Sequence, residues 1–152
     1  MFSSKARYGL RAMAVLAQHF AEDTYVTVDD IVAVEPIPPK FLESILTELR
    51  KEGLLLSRRG PAGGYRLARA PEAISLAAVV RTLDGAFAPT TCARLRNPVC
   101  CEGCVDMESC AIRPFARRVR DEMAKVLEGQ TINDLAMDEA HKGQSARGTA
   151  GI

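Results

Sequence analysis

Three prolines, Pro36, Pro38 and Pro39, interrupt the first half of the chain between two segments that have the apolar spacing of helices. Proline cannot continue a helix but suits the first turn of a new one, so one helix ends before these residues and Pro39 can begin the next. The sequence therefore predicts two helices joined by a tight turn, a helix-turn-helix. The inward side of the second helix is predicted to consist of Phe41, Leu42, Ile45, Leu46 and Leu49.

A short basic hairpin is expected directly after this helix. Residues 54–67 contain two short apolar stretches, and the glycine- and proline-rich tip between them carries Arg58 and Arg59. Because an isolated two-stranded hairpin is marginally stable, it must pack on the helices, and Leu55 and Tyr65 are its side chains for that contact. A helix-turn-helix followed by a basic hairpin is the winged-helix arrangement.

Basic residues concentrate around the predicted hairpin, although the whole chain has a formal net charge of only +1. Between Arg50 and Arg69 the sequence contains six basic residues and a single acid, Glu52. Such a stripe is the electrostatic signature of a surface that binds phosphate. The alternative is a solvated face without a partner, and charge alone does not separate the two.

All five cysteines lie between Cys92 and Cys110, in a polar stretch with no apolar period. Such a loop is typical of metal ligands, redox groups or disulfide partners rather than of buried small side chains. No stretch approaches the ~18–20 apolar residues of a membrane span, so we expect a cytoplasmic protein with no membrane partner. In a reducing cytosol, clustered cysteines are more often metal or redox groups than disulfides.

A longer amphipathic helix is predicted after the cysteine loop. A single exposed helix cannot bury its own apolar stripe, so the natural partner is a second copy of the chain. The predicted stripe consists of Phe115, Val119, Met123, Val126 and Leu127. We expect the basic residues of this helix to lie away from the stripe, namely Arg113, Arg117, Arg118 and Arg120.

Three motifs carry a resemblance to a known family: residues 37–46 (Ile-Pro-Pro-Lys-Phe-Leu-Glu-Ser-Ile-Leu), 49–54 (Leu-Arg-Lys-Glu-Gly-Leu) and 59–67 (Arg-Gly-Pro-Ala-Gly-Gly-Tyr-Arg-Leu). With residues 4–13 and 130–135, the chain from residue 1 to about 137 resembles the Rrf2 family of bacterial winged-helix regulators. The resemblance implies a homodimer, not an enzyme, that binds a near-palindromic operator in double-stranded DNA and represses or activates genes.

The predicted fold class is mainly α with a small β-hairpin, in which a winged helix-turn-helix domain is joined to a long C-terminal dimerisation helix. We divide the chain into four parts. They are a DNA-binding domain over residues 1–85, a cysteine-rich cofactor loop over 86–112, a dimerisation helix and short terminal helix over 113–138, and a disordered tail over 139–152.

The second helix of the helix-turn-helix is the expected recognition helix. Glu43 can accept from a cytosine amino group, and Ser44 and Thr47 can donate or accept. Lys40 and Arg50 are expected on phosphate. Phe41 is expected in the core, and Glu43 has the alternative of a solvated surface acid.

The resemblance places the wing in the minor groove, where arginine is favoured, and this assigns Arg58 and Arg59 to DNA. The tip glycines Gly60, Gly63 and Gly64 are expected to permit positive φ and a close approach to DNA.

The resemblance also implies an iron–sulfur cluster, a 2Fe–2S cluster with 4Fe–4S as the alternative, because cluster-binding members of the family use three cysteine thiolates. When the chain is aligned with the family's pattern from the wing onwards, Cys92 matches a ligand position. When it is aligned backwards from the long helix, Cys104 and Cys110 match the other two. Cys100 and Cys101 are additional or alternative ligands, since either can replace Cys104.

The fourth ligand is left open by the sequence. In some members it is a histidine three residues after the last cysteine, where this chain has Arg113, and in others an N-terminal acid, at a position that matches Tyr8. The only histidines are His19 and His141. The remaining candidates for the fourth ligand are a further cysteine, solvent or a small molecule. A cluster that the protein ligates incompletely would be labile, and lability suits a sensor of iron, redox state or nitric oxide.

Other chemistries compete for the cysteines. Cys101 and Cys104 form half of a zinc knuckle, but a second pair is missing. Oxidation to disulfides is a second alternative, and a regulator without a cofactor, controlled by a partner protein or metabolite, is a third. A thioredoxin-like enzyme is disfavoured, because its cysteine pair would stand at a strand-to-helix junction.

Overall fold

Six α-helices and one antiparallel hairpin follow one another in the computed structural model, which describes residues 2–138. The elements are α1 (Ser4–Gln18), α2 (Val28–Val34), α3 (Pro39–Lys51), β1 (Leu55–Arg58), β2 (Gly64–Leu67), α4 (Leu76–Asp84), α5 (Ile112–Gly129) and α6 (residues 132–138). This confirms the predicted fold class. The predicted disordered tail over residues 139–152, with His141, lies outside the described residues.

Polar side chains begin three of the helices. Ser3 accepts from the backbone N–H of Ala6 and begins α1, and Ser75 begins α4 in the same way. Thr27 and Asp30 form the predicted capping box, in which each side chain accepts from the other residue's backbone N–H. The Asp30 carboxylate accepts hydrogen bonds from both the hydroxyl and the backbone N–H of Thr27. These bonds lower the pKa of Asp30, the hydroxyl having the larger effect.

Helix α3 begins at Pro39, as predicted. Proline's missing N–H costs nothing at this position, because an N–H there would have no acceptor within the helix. Gly53 follows the helix at φ 72°, and the N–H of Leu54 donates to the carbonyl of Leu49 at 3.0 Å. This left-handed glycine cap turns the chain sharply from α3 into β1.

The core lies where α1, α3 and α4 pack together, closed by one face of the hairpin. A Cβ at Gly9 of α1 would stand 2.2 Å from Leu83 Cδ1 of α4, so the Leu83 side chain packs directly on this glycine. Burying each large aliphatic side chain contributes about 1.5–3 kcal/mol. The fully buried side chains include Met13, Leu16, Ile31, Leu42, Ile45, Leu46, Leu49, Leu55, Leu67 and Ile74.

The wing is fastened to the helices at two places. Leu55, only 1% exposed, enters the core from β1, and Leu67 opposite it on β2 does the same. Val26, just before α2, exchanges two backbone hydrogen bonds of 2.9 and 2.8 Å with Tyr65. Tyr65 packs partly buried against the core. The predicted attachment through Leu55 and Tyr65 is therefore confirmed.

One side chain that was predicted to face the core from α3 lies at the surface instead. Phe41 is 36% exposed and packs edge to face on Tyr8, with ring centroids 5.8 Å apart. It stands in the first turn of α3, where it packs on a ring at the rim of the core. The expectation of a core aromatic was wrong.

Helix α5 carries two faces rather than one stripe. Leu127 is 5% exposed and joins Ala77 and Val80 of α4, whereas Phe115 and Val126 are 65% and 66% exposed. A helix turns by about 100° per residue, so Leu127 lies a quarter turn or more from the exposed residues.

Two of the basic residues of α5 are buried, on a different face from the exposed apolar residues. Arg113 is 8% exposed and the Arg120 side chain 12%, because both reach into the cysteine loop from the buried face of the helix. Within residues 2–138, no helix has the length and apolar character that crossing a bilayer requires.

Candidate nucleic-acid interface and cysteine loop

The outer face of α3 is polar and open to solvent, as predicted. Glu48, on the neighbouring side, is held by Lys5 of α1 at 2.7 Å and is thereby committed within the chain. The predicted contact residues are exposed, or half-buried in the case of Thr47. They are Lys40, Glu43, Ser44, Thr47 and Arg50.

The two arginines of the wing tip differ in what they contact. Arg58 donates from Nε and a terminal nitrogen to the carbonyl of Ala62, at 3.2 and 2.7 Å, and its guanidinium lies 4.5 Å from the centre of the Tyr25 ring. Arg59 is exposed and makes no ion pair or hydrogen bond within residues 2–138. Arg58 therefore shapes the wing, while the charge of Arg59 is available to a partner.

Tyr25 is a positioning residue that sequence reasoning missed. Its half-buried ring receives Arg58 on β1 and also Arg66 on β2, 5.3 Å from the ring centre. Arg66 pairs in addition with Asp23. A guanidinium over an aromatic face is attracted by the ring quadrupole. The only sequence signal was an aromatic next to a turn, since the partners are distant along the chain.

The tip glycines serve the protein's own backbone. Gly64 has φ 137°, as predicted, but a Cβ there would meet the carbonyl oxygen of Val26 at 2.4 Å. Gly63 does not have a positive φ, contrary to expectation, and a Cβ there would stand 2.2 Å from the carbonyl oxygen of Arg58. At both positions a side chain would collide with a backbone carbonyl oxygen, so both positions require glycine.

The cysteine loop lies between α4 and α5 and is anchored at its beginning. A 3₁₀ turn over Thr91–Ala93 buries Cys92, 2% exposed, and Ala93. Arg113 donates from Nε to the Cys92 carbonyl at 3.3 Å, and Arg120 donates to the Ala93 carbonyl at 2.5 Å. Both arginines come from the buried face of α5.

Cys92 and Cys101 form one group of thiols. The Thr90 hydroxyl lies 3.2 Å from the Cys92 sulfur, and the Thr91 hydroxyl donates to the Cys101 sulfur at 3.5 Å. The pKa of Cys101 is lowered to about 7, first by the Thr91 hydroxyl and then by hydrogen bonds from the backbone and side chain of Cys92. Cys101 therefore has substantial thiolate character near neutral pH.

Cys104, Cys110 and Cys100 form the second group. Desolvation raises the pKa of Cys104, and negative charge at Cys100 and Cys110 raises it further. Two of the three predicted ligands, Cys104 and Cys110, are thus neighbours. Cys92 stands instead with Cys101.

The donor set of the loop is chemically suited to a soft metal. All five cysteines are free thiols, and thiolates select iron–sulfur clusters, zinc or Cu(I). Within residues 2–138, however, no three or more His, Cys, Asp or Glu side chains converge in a way that could hold a metal ion. The two groups of thiols would have to approach each other to share one site.

Each residue considered as a fourth ligand has another contact. Arg113 has no lone pair to give a metal, because a guanidinium is donor-only. Tyr8 packs on Phe41, and His19 lies 3.4 Å from Glu22 at the far end of α1. In the described part of the chain, the remaining candidates are the two extra cysteines.

The whole arrangement is similar to known transcriptional regulators. The Rrf2 family model, described as an iron-dependent transcriptional regulator, matches residues 2–138. An rrf2-like HTH-type transcriptional regulator of Rhodobacter capsulatus is 34% identical over 89% of this chain and 91% of its own length.

Two solved structures share the fold along most of their length. CymR, the global cysteine regulator of B. subtilis, has a TM-score of 0.73 and 32% identity, covering 90% of this chain and 96% of that one. IscR of T. potens has a TM-score of 0.71 and 30% identity, covering 91% and 88%.

Replacement of Gly64 by alanine is expected to destabilise the protein more than replacement of Gly60. Both have positive φ, which costs an alanine about 1–3 kcal/mol, but only the Gly64 Cβ collides with a backbone oxygen, and nothing lies within 4 Å of a Cβ at Gly60. Urea unfolding of Gly64→Ala and Gly60→Ala measures the difference. Equal free energies of unfolding for the two variants would contradict the packing argument.

Proposed function

Because the chain belongs to the Rrf2 family of DNA-binding transcriptional regulators, we propose that it binds a near-palindromic operator as a homodimer and senses iron, redox state or nitric oxide through its cysteine loop. Its relatives are regulators, and the protein is not an enzyme. One observation carries the sensing proposal: helix α5 packs on α4 of the winged domain with Leu127 and holds the cysteine loop with Arg113. A change in the loop therefore acts on the same helix that contacts the DNA-binding domain.

The DNA contact is proposed to use α3 in the major groove and the wing in the minor groove. Glu43, Ser44 and Thr47 would read base edges, and Lys40 and Arg50 would neutralise phosphates. Their exposure and the commitment of Glu48 to Lys5 support this division. In the wing, Arg59 would enter the groove, while Arg58, Gly63 and Gly64 would act mainly by shaping the tip.

Dimerisation is proposed through the exposed face of α5. Phe115 and Val126 are about two-thirds exposed, and Val119 and Met123 lie half-buried between them. Apolar surface of this kind is stabilised by burial at about 25 cal/mol per Å², so a covering surface is favoured. A second copy would supply the same face through a two-fold axis, and that symmetry would match a near-palindromic operator.

The sensing group is proposed to be an iron–sulfur cluster, 2Fe–2S or alternatively 4Fe–4S, held by Cys92, Cys104 and Cys110 with Cys100 or Cys101 as additional or replacing ligands. Thiolate donors and the iron-dependent description of the family support it. When bound, such a cluster supplies an iron centre that responds to iron supply, oxidants and nitric oxide. The chain's own part is to bring Cys104 and Cys110 to the anchored Cys92, which would reorder the loop against α5 and alter operator affinity.

A thiol switch is the second candidate, and the neighbouring position of Cys92 and Cys101 favours it. Cys92 helps to lower the pKa of Cys101 and so lies near it, and an oxidant could join these two thiols in a disulfide. The structural neighbour described as a global cysteine regulator is consistent with control without a cluster. Zinc would use the same thiolates.

Arg59→Ala is expected to weaken operator binding and to reduce the slope of log K against log salt by about 1, because one phosphate-neutralising charge is lost. Fluorescence anisotropy over a salt series, on a duplex selected by the protein from a randomised library, measures both quantities. Arg94→Ala, an exposed arginine of the cysteine loop, controls for net charge. Unchanged affinity in Arg59→Ala would remove the wing from the proposal.

Protein purified without oxygen is expected to contain iron and sulfide and to show thiolate-to-iron absorption. Cys92→Ala is expected to abolish this absorption, whereas Cys100→Ala is expected to retain it, since Cys100 is the exposed, additional thiol. Metal and sulfide analysis separates a cluster from zinc. Operator affinity is then measured before and after chelation, and identical values would overturn the occupancy switch.

Val119→Glu is expected to convert the dimer to a monomer, because it places a charge in the middle of the exposed apolar face of α5. Sedimentation equilibrium measures the change. Arg117→Glu introduces the same side chain on an exposed part of the helix and is expected to leave the dimer intact. A Val119→Glu dimer as stable as the wild type would place the interface elsewhere.

A further inference from the structure

Two buried arginines lie on one face of α5, and together they do more than the proposed function asks of Arg113. Arg113 and Arg120 lie two turns apart, and their side chains are only 9% and 12% exposed. Ala116, 3% exposed, stands between them, so the helix offers a flat strip bounded by two guanidinium groups. Guanidinium groups are seldom buried unless their donors find acceptors.

Their acceptors are backbone carbonyls at both ends of the cysteine loop. The Arg113 Nε donates to Cys92 at 3.3 Å, and the Arg120 guanidinium donates to the next carbonyl, that of Ala93. A terminal nitrogen of Arg113 also donates to the carbonyl of Met107 at 3.3 Å. One side chain thus joins the beginning of the loop to its end.

These contacts satisfy groups that the loop cannot satisfy by itself. The last carbonyls of a helical turn have no partner within the turn, and Cys92 and Ala93 end the 3₁₀ turn. Without either arginine, a buried carbonyl of the loop would lack a donor. If the loop moved away, a buried guanidinium would lack its acceptor, so the loop and the two arginines hold each other in place. The ion pair with Glu108, which is 86% exposed, adds little to this.

We infer that Arg113 and Arg120 are positioning residues that keep Cys92 packed on α5 in the absence of any metal. Reordering of the loop is thereby left to the residues outside these contacts, which include Cys100, Cys101, Cys104 and Cys110. The loop is then partly preformed: Cys92 is a fixed point, and the other thiols move to it. This inference concerns the metal-free chain and holds whether or not the proposed cluster exists.

The test measures the alkylation rate of each cysteine by iodoacetamide, using mass spectrometry on the reduced, metal-free full-length protein. In the wild type, Cys92 is expected to react most slowly, because it is the buried cysteine. Arg113→Ala is expected to raise the Cys92 rate by about tenfold or more through local opening, with little change at Cys100. Arg113→Lys, which can reach one carbonyl but not two, is expected to lie between.

The matched control is Arg117→Ala, an exposed arginine on the same helix that makes no hydrogen bond within residues 2–138. It is expected to leave all five rates unchanged. If Arg113→Ala unfolds, shown by loss of its circular dichroism, the alkylation rates are measured in Arg120→Ala instead. This variant frees one loop carbonyl, that of Ala93, besides the exposed Asp121 carboxylate. A folded Arg113→Ala or Arg120→Ala protein with Cys92 as slow as in the wild type would overturn the inference.

Discussion

Helix α4 packs on both of its sides, and the rest of the structure depends on this. Val79 and Leu83 enter the core with α1 and α3, while Ala77 and Val80 receive Leu127 from α5. The chain around the two helices is joined as well, because Leu76 donates to the carbonyl of Gln130 and Ile132 donates to that of Ile74. A short helix with two apolar faces therefore connects the winged domain to the part of the chain that carries the cysteine loop.

Ion pairs within the chain help to define the surface that could contact DNA. Beside the exposed candidate residues, other charged side chains are paired within the protein, Glu48 with Lys5 and Arg66 with Asp23. The wing is held by backbone pairing at Val26 and by the Tyr25 ring rather than by a large core of its own. This attachment allows two strands of four residues to stand as a rigid basic projection.

Local structure was predictable to within a residue or so where a single side chain decides it. Ser3, Thr27, Ser75 and Pro39 begin helices, and Gly53 ends one, because capping and proline chemistry act over a few residues. Phe41 was misplaced because apolar spacing says which side of a helix is inward but not where the neighbouring helix ends. Leu127 was misplaced because it packs on α4, whereas a single apolar stripe assigns it to the exposed face of α5.

The sequence by itself determined the winged-helix architecture, the polar outer face of α3 and the presence of five thiols in one loop, since these depend on periodicity, turn residues and composition. Only the tertiary structure decided that Arg113 and Arg120 point inward, that Tyr25 supports the wing, and that Cys92 stands with Cys101 apart from Cys104 and Cys110. The physical reason is the same in each case. A buried guanidinium, an aromatic partner or a neighbouring thiol is chosen by atoms distant along the chain, and helical spacing carries no information about them.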